Sequence, residues 1–403
     1  MTSTRSHTFI VLLFVFFNYF NPVSVYITLL FNVALAVYLV SIKKEYRVKF
    51  DSYVIFITML ILIWSIIIML SRADVDIYIL GKYSRVLIST LLIVFICSGW
   101  SISVKQLVTV LGVVFFSHIL AIVAQTVNPD LSAHMAGVFG MAEAADFFIE
   151  YNDRKMGLSG SFDTASLVSI LSMIFFFLQY QVKHKNVYLI LALLSFGACA
   201  MSSRMGMVIG FFIFLMFIIN LFSRAKGRDA LLILLIMVAG SALVFYFILP
   251  VILHSFQWII IEFEPQIGDI STAGYGTTGT VDALFGSHLE PLKVPLMDLF
   301  FGFGYDPDGT DIGYVKLIYH IGIIGSFLIF ILYLYMYFKI NSLRKKYREC
   351  IDMYILSSFF IFYLALLIVM NYKSLEIYSR GAHDLLIIIF FVLIKNKHRL
   401  YSK

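Results

Sequence analysis

The feature that most constrains this chain is the return, again and again, of nearly uncharged apolar runs about as long as a bilayer is thick. A membrane-spanning helix needs roughly 20 mostly apolar residues, because every backbone polar group must be satisfied within the segment. Runs meeting that description fall at 6–21, 23–41, 52–70, 84–100, 107–126, 164–181, 187–202, 206–222, 230–250, 312–338, 351–370 and 381–395. They predict an all-α integral membrane protein of about 12 transmembrane helices, with residues 1–403 forming one polytopic domain. Composition excludes the alternative: with 61% hydrophobic and 13% charged residues, a water-soluble globule could not bury its apolar surface. The first run has Arg5 ahead of it, as a signal peptide would. It lacks a small-residue cleavage site, and Asn21-Pro22 leads straight into the next run, so it reads as half of a retained hairpin.

Lys and Arg give the orientation. With both termini cytoplasmic, 20 of the 30 basic residues fall in cytoplasmic segments, and each of those segments is basic. Nineteen of the 24 acidic residues fall on the other side. Two long segments lie there, 127–163 and 251–311, and loops of this kind carry function. The net charge of +6 is thus explained by topology, and no nucleic-acid partner is expected. Cys97, Cys199 and Cys350 are scattered and odd in number, so neither a disulfide framework nor a metal site is expected. No internal repeat is visible and few charges fall mid-helix, which weakens a transporter reading.

Three stretches on the outer side carry the chemistry: RKMGLSGSFDTASL from Arg154 to Leu167, SSRMG from Ser202 to Gly206, and LFFGFGYDPDGTDIGYVKLIYHIGIIG from Leu299 to Gly325. Each has a plain reading beside the functional one. Arg154 and Lys155 are equally read as solvated loop charges, and Arg204 as a snorkelling turn residue. Asp311 reads as an N-cap of the tenth span, with Asp306 and Asp308 as turn residues. Functionally, outward arginines can grip a diphosphate bidentately. A nearby carboxylate can take a proton from a sugar hydroxyl. Together these suit transfer of a glycan from a lipid diphosphate, whose leaving charge fixed guanidinium groups can stabilise without a metal or other cofactor.

With these residues in view, the chain resembles the bacterial O-antigen polymerase (Wzy-type) proteins within the O-antigen ligase and polymerase superfamily. The resemblance rests on the twelve-span layout with a large late outer loop. It rests also on R-K-M-G before span six, on the Ser-Arg turn in SSRMG, on the Phe-Gly-x-Gly element in LFFGFGYD, and on DIGYVKLIYHIGIIG opening span ten. It implies a fold like that of the helical lipid-phosphosugar glycosyltransferases, in the bacterial inner membrane with a periplasmic active site. The implied substrates are undecaprenyl-diphosphate-linked oligosaccharide repeat units, with membrane lipids around them and a chain-length regulator as a possible partner. The growing glycan would move from its own carrier onto a new lipid-linked unit. The ligase branch, which moves the finished glycan to lipid A core, usually carries a His near the opening of the span after its late loop. Asp311, followed by Gly313-Tyr314, stands there instead and favours the polymerase, since His320 sits deeper in the helix.

Arg154, Arg204 and Arg380 are the expected diphosphate ligands, and Asp311 the expected base, with His320, Asp163, Glu262 and His383 as rivals. Arg72, Lys82 and Arg85 rank lower, because their segment also reads as an ordinary interfacial loop. Tyr305 and Tyr314 are expected glycan contacts. The aromatic residues of the late loop could equally pack it onto the helices. A lipid-linked oligosaccharide flippase and a non-catalytic scaffold are the rivals of other classes.

Overall fold

The computed structural model describes residues 2–22, 24–42, 51–72, 76–128, 130–138, 154–224, 287–307, 310, 312–372, 374–375, 377–378 and 381–397. Among them the fold is all-helical, with no strand. The helices are α1 (Thr2–Phe20), α2 (Val25–Ile42), α3 (Ser52–Ser71), α4 (Ile77–Gly99), α5 (Val104–Val127), α6 (Asp130–Val138), α7 (Phe162–Lys183), α8 (Asn186–Ser202) and α9 (Arg204–Arg224). A 3-10 turn (Ser287–Leu292) and the short α10 (Leu296–Phe301) follow, then α11 (Gly313–Lys346), α12 (Ile351–Met370) and α13 (Ala382–Lys397). Seven described helices are long and apolar enough to cross a membrane, and α1, α2 and α8 hold shorter apolar stretches. The protein is a multi-pass membrane protein in this coarse sense. The expected span 230–250 lies outside the described residues, as does most of the expected loop 251–311.

The bundle has two chemically distinct ends. At the basic end, Lys339 and the Tyr335 hydroxyl of α11 both donate to Asp51, just ahead of α3. There too, Lys395 of α13 donates to the carbonyls of Cys97, Ser98 and Trp100, at distances of 2.8, 2.6 and 2.9 Å. Those carbonyls belong to the last turn of α4, where helix geometry leaves C=O groups without partners and a cation is favoured. The opposite end holds residues 154–161, 203, 302–307, 310, 312, 371–372, 374–375, 377–378 and 381. The described chain leaves the basic end at Arg224 and resumes at the loop end with Ser287.

α7 is the axis of the fold. It is buried along nearly its whole length and packs against α5, α8, α9 and α12. Phe115 of α5, Phe175 of α7 and Phe359 of α12 form an aromatic triangle with centroids 5.3–5.6 Å apart. Each such pair contributes about 0.5–1.5 kcal/mol beyond area burial. In lipid that direct packing matters most, because helices gain little by hiding apolar surface from an apolar solvent. Some polar residues carried inward pair: Asn32 of α2 donates to Asn18 of α1 at 2.7 Å, both fully buried.

α11 departs from expectation. The sequence predicts one continuous span over 312–338. The helix instead runs on to Lys346 and is broken at Gly322, at φ 67° and ψ 179°. Gly302, at φ 86° and ψ 174°, lies against it. Both glycines occupy a backbone region essentially closed to other residues. A Cβ on Gly322 would collide with the backbone of Phe300 and Phe301, and one on Gly302 with the backbone of Gly322. Helix breaks at membrane depth survive only if the freed backbone groups find partners. Here they do. The N–H groups of Phe303 and Gly304 donate to the Tyr319 carbonyl at 2.7 and 3.0 Å. The Trp64 indole of α3 donates to the Ile321 carbonyl at 2.8 Å. The glycines of LFFGFGYD therefore seat the end of the late loop inside a gap in α11.

Candidate functional site

Seating the late loop in this way sets Asp306 opposite His320. One Asp306 carboxylate oxygen lies 2.6 Å from Nε2 of His320. The pair is lopsided: Asp306 is 53% exposed and His320 only 2%. The hydrogen bond from His320 holds the Asp306 carboxyl below the usual carboxylate range, aided by the charges of Lys316 and Lys82 and opposed by partial burial. An ionised carboxylate only accepts, so Nε2 carries the proton and Nδ1 of a neutral ring keeps its lone pair. That Nδ1 is buried and has no hydrogen-bond partner among the described residues, and neither has the hydroxyl of Tyr83. The Tyr83 ring stands edge-on to the imidazole at 6.5 Å.

Aromatic rings wall this corner. Phe303 stacks on Tyr319 at 4.6 Å, and Tyr305 stands 5.6 and 5.8 Å from the two. The Tyr319 hydroxyl donates to the Pro291 carbonyl. Arg72 reaches over Phe303 and pairs with Asp298 at 2.8 Å. The Asp76 N–H donates to the Gly304 carbonyl, fixing the loop to the start of α4. Tyr305 is exposed at the rim. Tyr314 is placed otherwise: its hydroxyl donates to the Ile368 carbonyl at 2.6 Å and ties α11 to α12.

The second piece is the R-K-M-G loop. Its backbone is held by polar side chains of α5. Gln125 accepts from the N–H groups of Met156 and Gly157 at 3.1 and 2.9 Å and donates to the Gly157 carbonyl. His118 Nδ1 accepts from the Leu158 N–H at 3.1 Å. Gly157 sits at φ 58°, where a Cβ would strike the His118 ring. The loop ends at Ser161, whose hydroxyl caps α7 by accepting from the Thr164 N–H.

The SSR turn joins the same surface. The Lys155 N–H donates to the Met201 carbonyl at 2.9 Å, and the Ser203 hydroxyl to Asp163 at 3.1 Å. Gly206 lets α9 press on α7, because a Cβ there would meet Ser166. Two of the three stretches singled out in the sequence are thus physically one unit. Arg154 is exposed, its guanidinium 5.8 Å over the Phe162 ring. Arg204 is the first residue of α9, beside that unit in the chain.

Beside these pieces lie Ile377, Tyr378 and residues 381–384. Tyr378 lies 5.6 Å from Tyr83 and 4.7 Å from His383. His383 lies 3.4 Å from the Thr90 hydroxyl and 3.3 Å from the Tyr333 hydroxyl, and Asp384 accepts from Ser89 at 2.8 Å. Gly381 packs on the Tyr19 carbonyl, and Phe20 next to it stacks on His118 at 5.8 Å. The end of α1 therefore touches both this segment and the histidine that holds the R-K-M-G loop.

Of the expected site residues, Asp311 and Arg380 lie outside the described residues, as does Glu262. The N-cap position of α11 is Ile312, which has no side-chain acceptor; its N–H is met by the Thr310 hydroxyl. Sequence reasoning passed over Asp306 as the partner of His320, and over His118 and Gln125 altogether. The last two carried a signal: seven residues apart, they share one face of an otherwise apolar helix, where polar groups need a reason. Among the described residues no three His, Cys, Asp or Glu side chains converge as metal ligands. No protein-family model matches the chain, and neither does any curated protein or solved structure.

Proposed function

We propose that the chain is a membrane-embedded surface-polysaccharide polymerase. It moves a growing glycan from undecaprenyl diphosphate onto a new undecaprenyl-diphosphate-linked repeat unit at the periplasmic face. The observation that supports this most is the fusion of the R-K-M-G loop and the SSR turn into one surface, at the same end as the Asp306–His320 pair. In this reading Arg154 binds the diphosphate together with Arg204 and Arg380, and a carboxylate serves the acceptor sugar. The acceptor hydroxyl oxygen attacks the anomeric carbon, the bond from that carbon to the phosphate oxygen breaks, and undecaprenyl diphosphate departs with the electron pair. Asp306 is the exposed member of its pair and takes the hydroxyl proton as the bond forms. His320 keeps it ionised and aligned. In this reading Asp306 replaces Asp311 as the base, and Tyr305 offers a ring to the glycan.

One observation favours the ligase as a second reading: the span after the late loop carries a histidine, His320, that is paired with a carboxylate, although deeper in the helix than the ligase position. Both are tested together. Purified protein in detergent is given undecaprenyl-diphosphate-linked repeat units, with or without lipid A core. A ladder of lengthened glycans, with one undecaprenyl diphosphate released per addition, is expected without lipid A core. Glycan appearing only on lipid A core would make the protein a ligase. Neither product, with movement of lipid-linked units across vesicle membranes, would make it a flippase.

A further inference from the structure

A second site lies at the basic end, away from the residues above, and does not depend on the reading just given. Between α7, α9, α12 and the end of α11 is a cavity of about 350 Å³. That falls in the range of small-molecule sites, roughly 300–1,000 Å³. Its walls divide by chemistry. Gln181, Asn220, Arg344, Tyr354 and Ser358 supply polar groups, whereas Met216, Phe217 and Ile219 supply an apolar side.

Two of the polar groups lack partners. The side-chain Nε2 of Gln181 and the hydroxyl of Ser358 are both buried and have no hydrogen bond among the described residues. Ser358 as a residue is 2% exposed. A buried polar group left unmet is costly, so a site with two of them is built for something that meets them. Among the described residues Arg344 adds the only charge on the walls, and one of its nitrogens is steadied by Asn341 at 3.1 Å. Asp352, on the same helix as Tyr354 and Ser358, lies 3.9 Å from Lys183 and is offset by it.

The apolar side opens outward. Met216 and Ile219 are 45% and 61% exposed on a helix whose outer face is apolar. A cation with hydroxyl and amide donors on one side, and a lipid-facing apolar wall on the other, matches an amphiphile with an anionic head. The positive-inside reading assigns this end to the cytoplasmic leaflet, which is where anionic lipids and basic interhelical pockets meet. We propose that this cavity binds one anionic phospholipid, its phosphate on Arg344, Gln181 and Ser358 and an acyl chain along Met216, Phe217 and Ile219.

The test uses the full chain in phosphatidylcholine nanodiscs doped with photoreactive phosphatidylglycerol. Adducts are expected within 216–223 and 354–362, reduced by excess unlabelled phosphatidylglycerol and untouched by glycerol phosphate at the same concentration. Arg344→Gln should lower the adduct yield about tenfold, and Ser358→Ala, which a helix tolerates, several-fold. Adducts spread evenly around the bundle would overturn the proposal, and the wild-type map alone decides this if Arg344→Gln fails to fold. Undiminished yield in both variants would overturn it as well. Competition by glycerol phosphate as strong as by the lipid would assign the cavity to a soluble anion instead.

Discussion

The late-loop seat on α11 and the R-K-M-G loop on α5 solve one problem by opposite means. Both place irregular backbone against membrane helices, where each N–H and C=O must find a partner. At the seat the helix itself gives way. Gly302 and Gly322 bring two backbones together, and two of the loop's N–H groups share the Tyr319 carbonyl that the break in α11 releases. At the R-K-M-G loop the helix stays intact and lends side chains: Gln125 and His118 imitate a backbone partner. The first arrangement tolerates almost no change at its glycines. The second depends on the polarity of two buried side chains and on one glycine.

The contrast can be broken at four points, in falling order of effect. Gly322→Ala should lose about 4 kcal/mol or more, since it adds both backbone strain and a backbone clash. Thermal unfolding in detergent should show it, along with loss of the loop seat. Gln125→Leu strips two N–H groups and one carbonyl of their partner and should cost about 3 kcal/mol. Its mark is local: hydrogen exchange should rise over 155–159 and stay unchanged over 302–322. An increase in both regions would mean that the two are not independent.

His320→Leu should act on pH more than on stability. Its hydrogen bond depresses the Asp306 pKa, so wild-type turnover should persist to pH values below the ordinary carboxylate range and fail as Asp306 takes up a proton. Without the imidazole, Asp306 titrates higher, and the acid limb of the pH–rate profile should move up. An unmoved limb would remove Asp306 as the base. The same sign holds for folding: the pair's contribution is present above the unfolded carboxylate pKa and fades as pH falls through the lowered one. Smallest of all, Arg72→Ala should cost no more than about 1 kcal/mol, because its partly exposed ion pair with Asp298 is screened by solvent.

Helix positions were legible where apolar runs met clean breaks. The run 351–370 is α12, and 52–70 is α3 to within a residue. The start of α4 was read seven residues late, because Lys82 and Arg85 interrupt its first turns and hydropathy counts them as loop. The short α6 fell inside an expected loop, being too short and too polar to register as a span. The break in α11 was hidden, since GIIG reads as helix-compatible small residues and only a facing backbone reveals the positive φ. Of the site, the joining of RKMG with SSRMG rests on Lys155 to Met201 and Ser203 to Asp163, contacts no spacing rule predicts. The partnership of Asp306 with His320 required knowing that the loop doubles back into its own following helix.

The lysine near the carboxyl terminus that closes the last turn of α4 has a consequence for biogenesis. Lys395 lies 298 residues beyond Cys97, whose carbonyl it meets. At about 5–20 residues per second of synthesis, α4 waits roughly 15 s to 1 min before that lysine is made. During that interval water, lipid headgroups or the insertion machinery must occupy those carbonyls. Synthesis of α13 is then the event that locks α4 in place.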